Sequence, residues 1–241
     1  MRGFGTICNV LAVLLGGGVG LFFKSGLPAR FQTILMQGCA MATIFIGAAG
    51  VMAGMLTVSD GAVAVRGTLL LTLSLVLGGL LGEALDIERR IDALGESLKR
   101  RFAQNDSGGF VSGFVTTSLV VCVGAMAVVG SIQDGLTGDW SMLLAKSMLD
   151  FVIVLVFAST LGAGVLFAAL PLGLYQGAVT AFAAFLEPLL TAELIGQMSY
   201  IGSALIFGVG LNLLRPGTFK VGNLLPAVFV PVAWALLQPI F

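Results

Sequence analysis

Lys146 and Asp150 stand four residues apart in an otherwise apolar run. A helix places that ammonium and carboxylate on one face. Such a pair is either a structural ion pair at the membrane interface or a carboxylate that binds an ion near the outer mouth. Tyr175 and Gln176, near the start of the next apolar run, either face a cavity or anchor the chain at headgroup level. Asn9, Gln37 and Asn212 each carry an amide into an apolar segment. An amide there lines a pathway or hydrogen-bonds a neighbouring helix. These six residues, Asp150, Tyr175, Gln176, Asn9, Asn212 and Gln37, are the candidate pathway or ion-binding groups. A second set of carboxylates, Asp60, Asp134, Asp139, Glu187 and Glu193, is expected at the outer face. There they either concentrate cations or simply meet water.

Other chemistry is excluded by what the chain lacks. It has no histidine, so a Ser–His pair cannot form and the commonest metal ligand is missing. A Ser–Lys pair would have to use Lys146 or Lys24, and no motif supports one. No catalytic residue, metal site or cofactor is expected, and the chain is read as a non-enzyme. Cys8, Cys39 and Cys122 are odd in number and lie inside apolar segments, which argues against a disulfide or zinc framework. Net charge is zero, and no stretch is basic enough for nucleic acid. The glycine-rich Leu15-Gly16-Gly17-Gly18-Val19-Gly20 follows no strand, so it is not a dinucleotide or phosphate loop.

The elements that position the candidates are membrane spans. Charged residues make up 10 % of the chain, far below the roughly 25 % of a soluble domain. Eight apolar segments approach the length of about 20 residues that a span needs: about 4–23, 32–56, 66–83, 110–131, 147–170, 172–190, 198–214 and 221–240. Leu170-Pro171-Leu172-Gly173 leaves almost no loop before the sixth. Pro226 and Pro231 should kink the eighth. Arg2 before the first apolar run raises a signal peptide, but the run is of spanning length and its glycines recur later, so it is expected to be retained.

Lys24, Arg30, Arg89, Arg90, Lys99, Arg100, Arg101, Arg215 and Lys220 share one side if all eight segments cross. That side is then cytoplasmic, and both termini lie outside the cytoplasm. Gly5-Thr6, Leu11, Leu15-Gly16-Gly17 and Gly20 reappear at constant offset as Gly67-Thr68, Leu73, Leu77-Gly78-Gly79 and Gly82. Weaker echoes occur at Leu161-Gly162-Ala163-Gly164 and Gly208-Val209-Gly210-Leu211. The reading is a single transmembrane domain over 1–241, built of four tandem hairpin repeats at about 1–60, 61–135, 140–195 and 196–241. Gly16, Gly20, Gly78, Gly82, Gly162 and Gly208 are expected to pack helices closely, within one chain or between copies in a homo-oligomer. Segment 84–104 carries Ile87, Ile91, Leu94, Leu98 and Phe102 on one face, with acids leading and Lys99-Arg100-Arg101 closing. It reads as an amphipathic cytoplasmic helix.

Phe114-Val115-Thr116-Thr117-Ser118-Leu119, Cys122-Val123-Gly124-Ala125-Met126-Ala127 and Val129-Gly130-Ser131-Ile132-Gln133-Asp134-Gly135 resemble the YdfK/YqgA-like bacterial membrane proteins, a domain-of-unknown-function family. The likeness continues through Lys146-Ser147, Tyr175-Gln176-Gly177 and Asn223-Leu224-Leu225-Pro226, and departs at Gly202-Ser203, where a Gly-Gly pair is expected. The resemblance implies a bacterial inner-membrane location and a transport role without a defined substrate.

The fold class is therefore all-α: a polytopic helical membrane bundle of about eight spans. Its partners are the lipid bilayer, further copies of itself and a small solute or ion. The alternative is a membrane scaffold that packs through its glycine faces and binds a partner through 84–104.

Overall fold

The computed structural model describes residues 2–24, 28–59, 62–102, 109–122, 125–186 and 190–237. In hydrocarbon every backbone N–H and C=O must be paired within its own segment, and the chain is accordingly helical. Its elements in order are α1 (Phe4–Lys24), α2 (Ala29–Met55), β1 (Leu56–Ser59), β2 (Ala62–Val65), α3 (Thr68–Ala84), α4 (Ile87–Phe102), α5 (Phe110–Cys122), α6 (Ala125–Thr137) and α7 (Ser141–Leu161). There follow a 3-10 turn (Ala163–Ala168), α8 (Ala169–Ala181), α9 (Ala183–Leu186), α10 (Ala192–Leu214), α11 (Val221–Leu224), a second 3-10 turn (Leu225–Phe229) and α12 (Val230–Leu237). Among the described residues five helices are long and apolar enough to cross a membrane, or seven if two bent pairs each count as one span. The protein is an all-α polytopic membrane bundle.

Several boundaries differ from the sequence expectation. The fourth segment is two helices, α5 and α6, at 61° to each other. The third runs into α4 through a 58° bend, with Asp86 in the left-handed region at φ 50°. The fifth starts at Ser141, because Asp139 accepts the Ser141 backbone N–H at 3.0 Å. That bond holds the Asp139 carboxyl below the usual carboxylate range. The break between the fifth and sixth segments falls at Gly162, with φ 91°. It does not fall at Pro171, which sits in the first turn of α8, where a missing N–H leaves no intrahelical bond unmade. The eighth segment is broken into α11, a 3-10 turn containing Pro226, and α12. The hairpin of β1 and β2 pairs Leu56 with Val65 and Ser59 with Ala62 and was not anticipated.

Exposure is inverted relative to a water-soluble helix. In α3 the buried positions are Ser74, Gly78 and Gly82. Leu69 and Leu80 are 71 % and 65 % exposed. Small residues face protein and large apolar ones face outward, as lipid requires.

The chain divides into two compact units, 1–39 with 92–190, and 40–91 with 191–241. Two of the boundaries fall inside α2 and α4, and the third falls between α9 and α10. In the first unit α1 packs along α7. A Cβ on Gly16 or Gly20 would run into the backbone carbonyl of Phe151 or of Leu155. In the second unit Gly78 and Gly82 face the backbone of Ala227 and Asn223 in the same way. There Gly47, Gly50 and Gly54 of α2 also admit Phe207, Ser203 and Tyr200 of α10.

Candidate functional site

The first unit encloses a polar cluster built on four helices. Starting α7 at Ser141 puts Asp150 nine residues into the helix, roughly 14 Å along its axis, at mid-helix and not near a mouth. Lys146 lies one turn earlier, and its Nζ pairs with Asp150 Oδ2. Both side chains are almost fully buried, at 8 % and 7 % exposure.

Lys146 has a second role that spacing alone does not disclose. Its Nζ also donates to the carbonyl of Val121 at 2.8 Å. Val121 belongs to the last turn of α5, where carbonyls have no partner within the helix. The ammonium therefore complements the negative end of the α5 dipole while it neutralises Asp150. Cys122, the last residue of α5, lies within electrostatic reach of both charges.

The next layer consists of amides. Asn9 of α1 lies against the Asp150 carboxylate, and its Nδ2 donates to Gln176 Oε1 of α8 at 3.3 Å. Both residues are fully buried. The remaining half of each amide, Asn9 Oδ1 and Gln176 Nε2, has no hydrogen-bond partner. The hydroxyls of Thr6, Thr117, Ser131 and Thr180, all in this unit, are likewise buried and unpaired. An unsatisfied buried polar group costs about 1–3 kcal/mol. Six residues carrying such atoms in one unit mark an interior that pairing within the chain does not satisfy.

The other candidates lie elsewhere. Tyr175 is half-buried on α8, within electrostatic reach of Cys122. Gln37 is exposed on α2. Asn212, in the second unit, closes the turn after α10. Its Nδ2 donates to the Phe219 carbonyl at 2.7 Å, and its Oδ1 accepts the Phe219 N–H at 2.9 Å. Of the glycines, Gly162 ends α7 through its backbone conformation. A Cβ on Gly208 would stand 3.4 Å from Val221, ordinary contact. A Cβ on Gly210, noted in sequence only within the Gly208-Val209-Gly210-Leu211 echo, would stand 2.7 Å from Ile44.

The outer carboxylates also sort differently. Asp60 and Glu187 lie outside the described residues. Asp134 is fully buried and accepts the backbone N–H groups of Gly3 and Gly5, each at 3.0 Å. It thereby caps the start of α1. Glu193 is exposed and accepts from Gln197. Among the described residues no group of three or more Cys, Asp or Glu is placed to hold a metal ion.

The second unit has its own polar cluster at the α3–α4 bend. Glu83 accepts from Lys220 and from Asn223 Nδ2, each at 2.6 Å. The Glu88 N–H donates to Asn223 Oδ1 at 2.7 Å, and Glu88 Oε2 accepts the Gly222 N–H at 3.0 Å. The Glu83 carboxylate raises the Lys220 ammonium above its ordinary range. Glu83 and Lys220 are more than half exposed.

A family model described as "Protein of unknown function (DUF554)" matches residues 4–236. The chain belongs to the DUF554 family. The "Uncharacterized membrane protein YdfK" of Bacillus subtilis (strain 168) is 33 % identical over 228 residues, which cover 95 % of this chain and 93 % of the relative. The "Uncharacterized protein YqgA" of Escherichia coli (strain K12) is 31 % identical over 230 residues, 94 % of this chain and 93 % of the relative. No solved structure matches this DUF554 chain.

Proposed function

We propose that this DUF554 protein is a transporter or channel for a small polar solute or ion, and that its pathway runs through the first unit. One observation carries the reading: a buried Lys146–Asp150 pair at the end of α5, beside amides whose remaining halves are unpaired. Broken helices in membranes occur where freed backbone groups line a site. Ionisable residues at membrane depth are expensive and are retained for function. Asn9, Lys146, Asp150 and Gln176 line the path in this reading, with Tyr175 beside it.

The finer placement belongs to the same proposal. The distribution of Lys and Arg supports eight crossings with both termini outside the cytoplasm, and the resemblance to bacterial membrane proteins supports the inner membrane. The matched seams of Gly16/Gly20 and Gly78/Gly82 support internal repeats, and a homo-oligomer is part of the same proposal. The chain is not an enzyme in this reading, and nothing in it calls for a cofactor.

The test is a flux assay. Purified protein in liposomes is challenged with steps of sodium or potassium salt, urea and glycerol, and volume recovery is followed by light scattering. The reading expects at least one solute to cross faster than through empty liposomes, and Asp150→Asn to slow it. No protein-dependent crossing, or crossing untouched by Asp150→Asn, overturns it.

A scaffold reading has one observation in its favour. Leu94 and Phe102 of amphipathic α4 are more than half exposed, a face that a cytoplasmic partner could cover. Crosslinked partners lost on deleting 86–104 would support it.

A further inference from the structure

Asn9 and Gln176 are fully buried, and the carboxylate beside them dictates which half of each amide is left over. Asn9 hydrogen-bonds Asp150, whose carboxylate is paired with Lys146. An ionised carboxylate only accepts, so Asn9 meets it with its NH2 group and not with its oxygen. The same NH2 group donates to Gln176 Oε1 at 3.3 Å. Both N–H bonds of Asn9 are thereby spent, and its Oδ1 is the half without a partner. Gln176 receives Asn9 on its oxygen, and its Nε2 is the half without a partner. One acceptor and one donor remain. Across the 3.3 Å bond and two amide groups, each roughly 2.2 Å wide, they stand no more than about 8 Å apart.

Unpaired hydroxyls extend this pair in one direction. Thr6 lies three residues before Asn9 on α1, and Thr180 four residues after Gln176 on α8, each on the face of its neighbour. The two stretches run antiparallel: a Cβ on Gly17 would meet Leu166, and one on Gly173 would meet Val10. Thr6 and Thr180 therefore lie on the same side of the amide pair, toward the start of α1. There α6 joins them. A Cβ on Gly135 would strike the Thr180 carbonyl, and Asp134 takes the N–H groups of Gly3 and Gly5. Ser131 stands one turn before Asp134. The hydroxyl oxygens of Thr6, Ser131 and Thr180 are all buried and unpaired.

Lys146 and Asp150 already neutralise each other, so the amide pair offers hydrogen bonds without net charge. A bare ion entering there would keep an uncompensated charge in a low-dielectric interior. We propose that Asn9 Oδ1 and Gln176 Nε2 bind a small uncharged solute that carries both a donor and an acceptor, as urea, small polyols and water do. The solute donates to Asn9 Oδ1 and accepts from Gln176 Nε2. The hydroxyls of Thr6, Ser131 and Thr180, each able to donate and to accept, serve it between this pair and the start of α1. This assignment rests on the transport reading and names its substrate class.

The experiment follows the volume of liposomes holding the full-length protein by light scattering. The probes are water, driven by a sucrose step, and then urea, glycerol and sodium chloride. At least one uncharged probe should cross faster than through empty liposomes, and sodium chloride should not. Which probe is fastest tells an amide-like solute from a polyol or water. Asn9→Leu and Gln176→Met should each slow the favoured probe roughly tenfold, about the weight of one hydrogen bond. Lys220→Met, at an exposed pair in the second unit, should leave it unchanged. The wild-type preference needs no variant, so it decides the matter even where a variant fails to fold. Protein-dependent sodium chloride flux, or rates untouched by both amide variants, overturns the assignment alone. Absence of any protein-dependent flux overturns the transport reading and the assignment with it.

Discussion

The two units use the same seam and differ in what lies behind it. In the first, Gly16 and Gly20 let α1 meet the backbone of α7, and Gly17 meets Leu166. In the second, Gly78 and Gly82 let α3 meet Ala227 and Asn223, and a Cβ on Gly79 would stand 3.1 Å from Leu224. The Leu166 and Leu224 turns each follow a long helix, and a glycine two residues before each leucine, Gly164 or Gly222, abuts the backbone of Phe110 or of Glu88. Yet six of the seven residues with unpaired buried side-chain atoms among the described residues belong to the first unit. Only Ser74 belongs to the second. The Lys146–Asp150 ion pair of the first unit is buried, whereas the Lys220–Glu83 and Arg89–Asp86 pairs of the second are exposed, and Asn223 also bonds Glu83. Shared packing serves the fold in both units, and unsatisfied polarity sets the first apart as the half through which the proposed pathway runs.

The largest expected effect separates the buried Lys146–Asp150 pair from the exposed Lys220–Glu83 pair. Lys146→Met leaves a buried carboxylate without its counter-charge, a loss of about 3–5 kcal/mol, read as a lower melting temperature in detergent. Pairing it with Asp150→Leu should recover much of that loss, because the uncompensated charge is then gone. If Lys146→Met is as stable as wild type, the pair is not buried in the way described.

The seams should respond alike. Gly20→Val and Gly82→Val each drive a Cβ into backbone that cannot rotate away. Each should lose ~3 kcal/mol, the upper part of the overpacking range, in the same thermal assay. A large loss in one unit and none in the other would break the equivalence.

The amides give a smaller effect. Asn9→Leu removes the hydrogen bond to Gln176 and the contact with the Asp150 carboxylate, but also an unpaired Oδ1. These changes partly offset, leaving a net loss of about 1 kcal/mol. Asn9→Leu with Gln176→Leu should be no worse than either alone. Additive losses would mean that the amides are satisfied separately.

The smallest effect falls in the second unit. Lys220→Met should leave the melting temperature within error, since exposed pairs contribute little. The sign of its pH dependence is fixed by the raised Lys220 value. Any contribution is fully present below the unfolded-state value and is lost as pH rises through the higher folded one.

Local spacing was legible in the sequence, and long-range pairing was not. The four-residue step from Lys146 to Asp150 and the glycine steps at 16/20 and 78/82 are facts about one helix face. Apolar length alone showed an all-α membrane bundle. The partners of those residues are 25 to 167 positions away: Val121 for Lys146, Gln176 for Asn9. No pattern in one segment encodes them. No proline closes α5, and the sequence read across its end as one span, so the Val121 carbonyl was not marked as free. Asp134 looked like a loop carboxylate because its acceptor role depends on where the start of α1 arrives. The hairpin at 56–65 could have been read from Val58, Val63 and Val65 around Asp60-Gly61, a hairpin-turn dipeptide. Gly47, Gly50 and Gly54 were likewise in view as a small-residue stripe.

The most direct measurement is thiol accessibility inside the first unit. Cys8, Cys39 and Cys122 are replaced by Ala, and Asn9→Cys, Asp150→Cys and Gln176→Cys are installed one at a time. A membrane-impermeant thiol reagent is then added from each side in turn. Labelling at these buried positions, with Asp150→Cys reached from both sides, is the expected result and means a water-lined path through the unit. Protection of all three from both sides would mean a dry, closed core and would contradict the account.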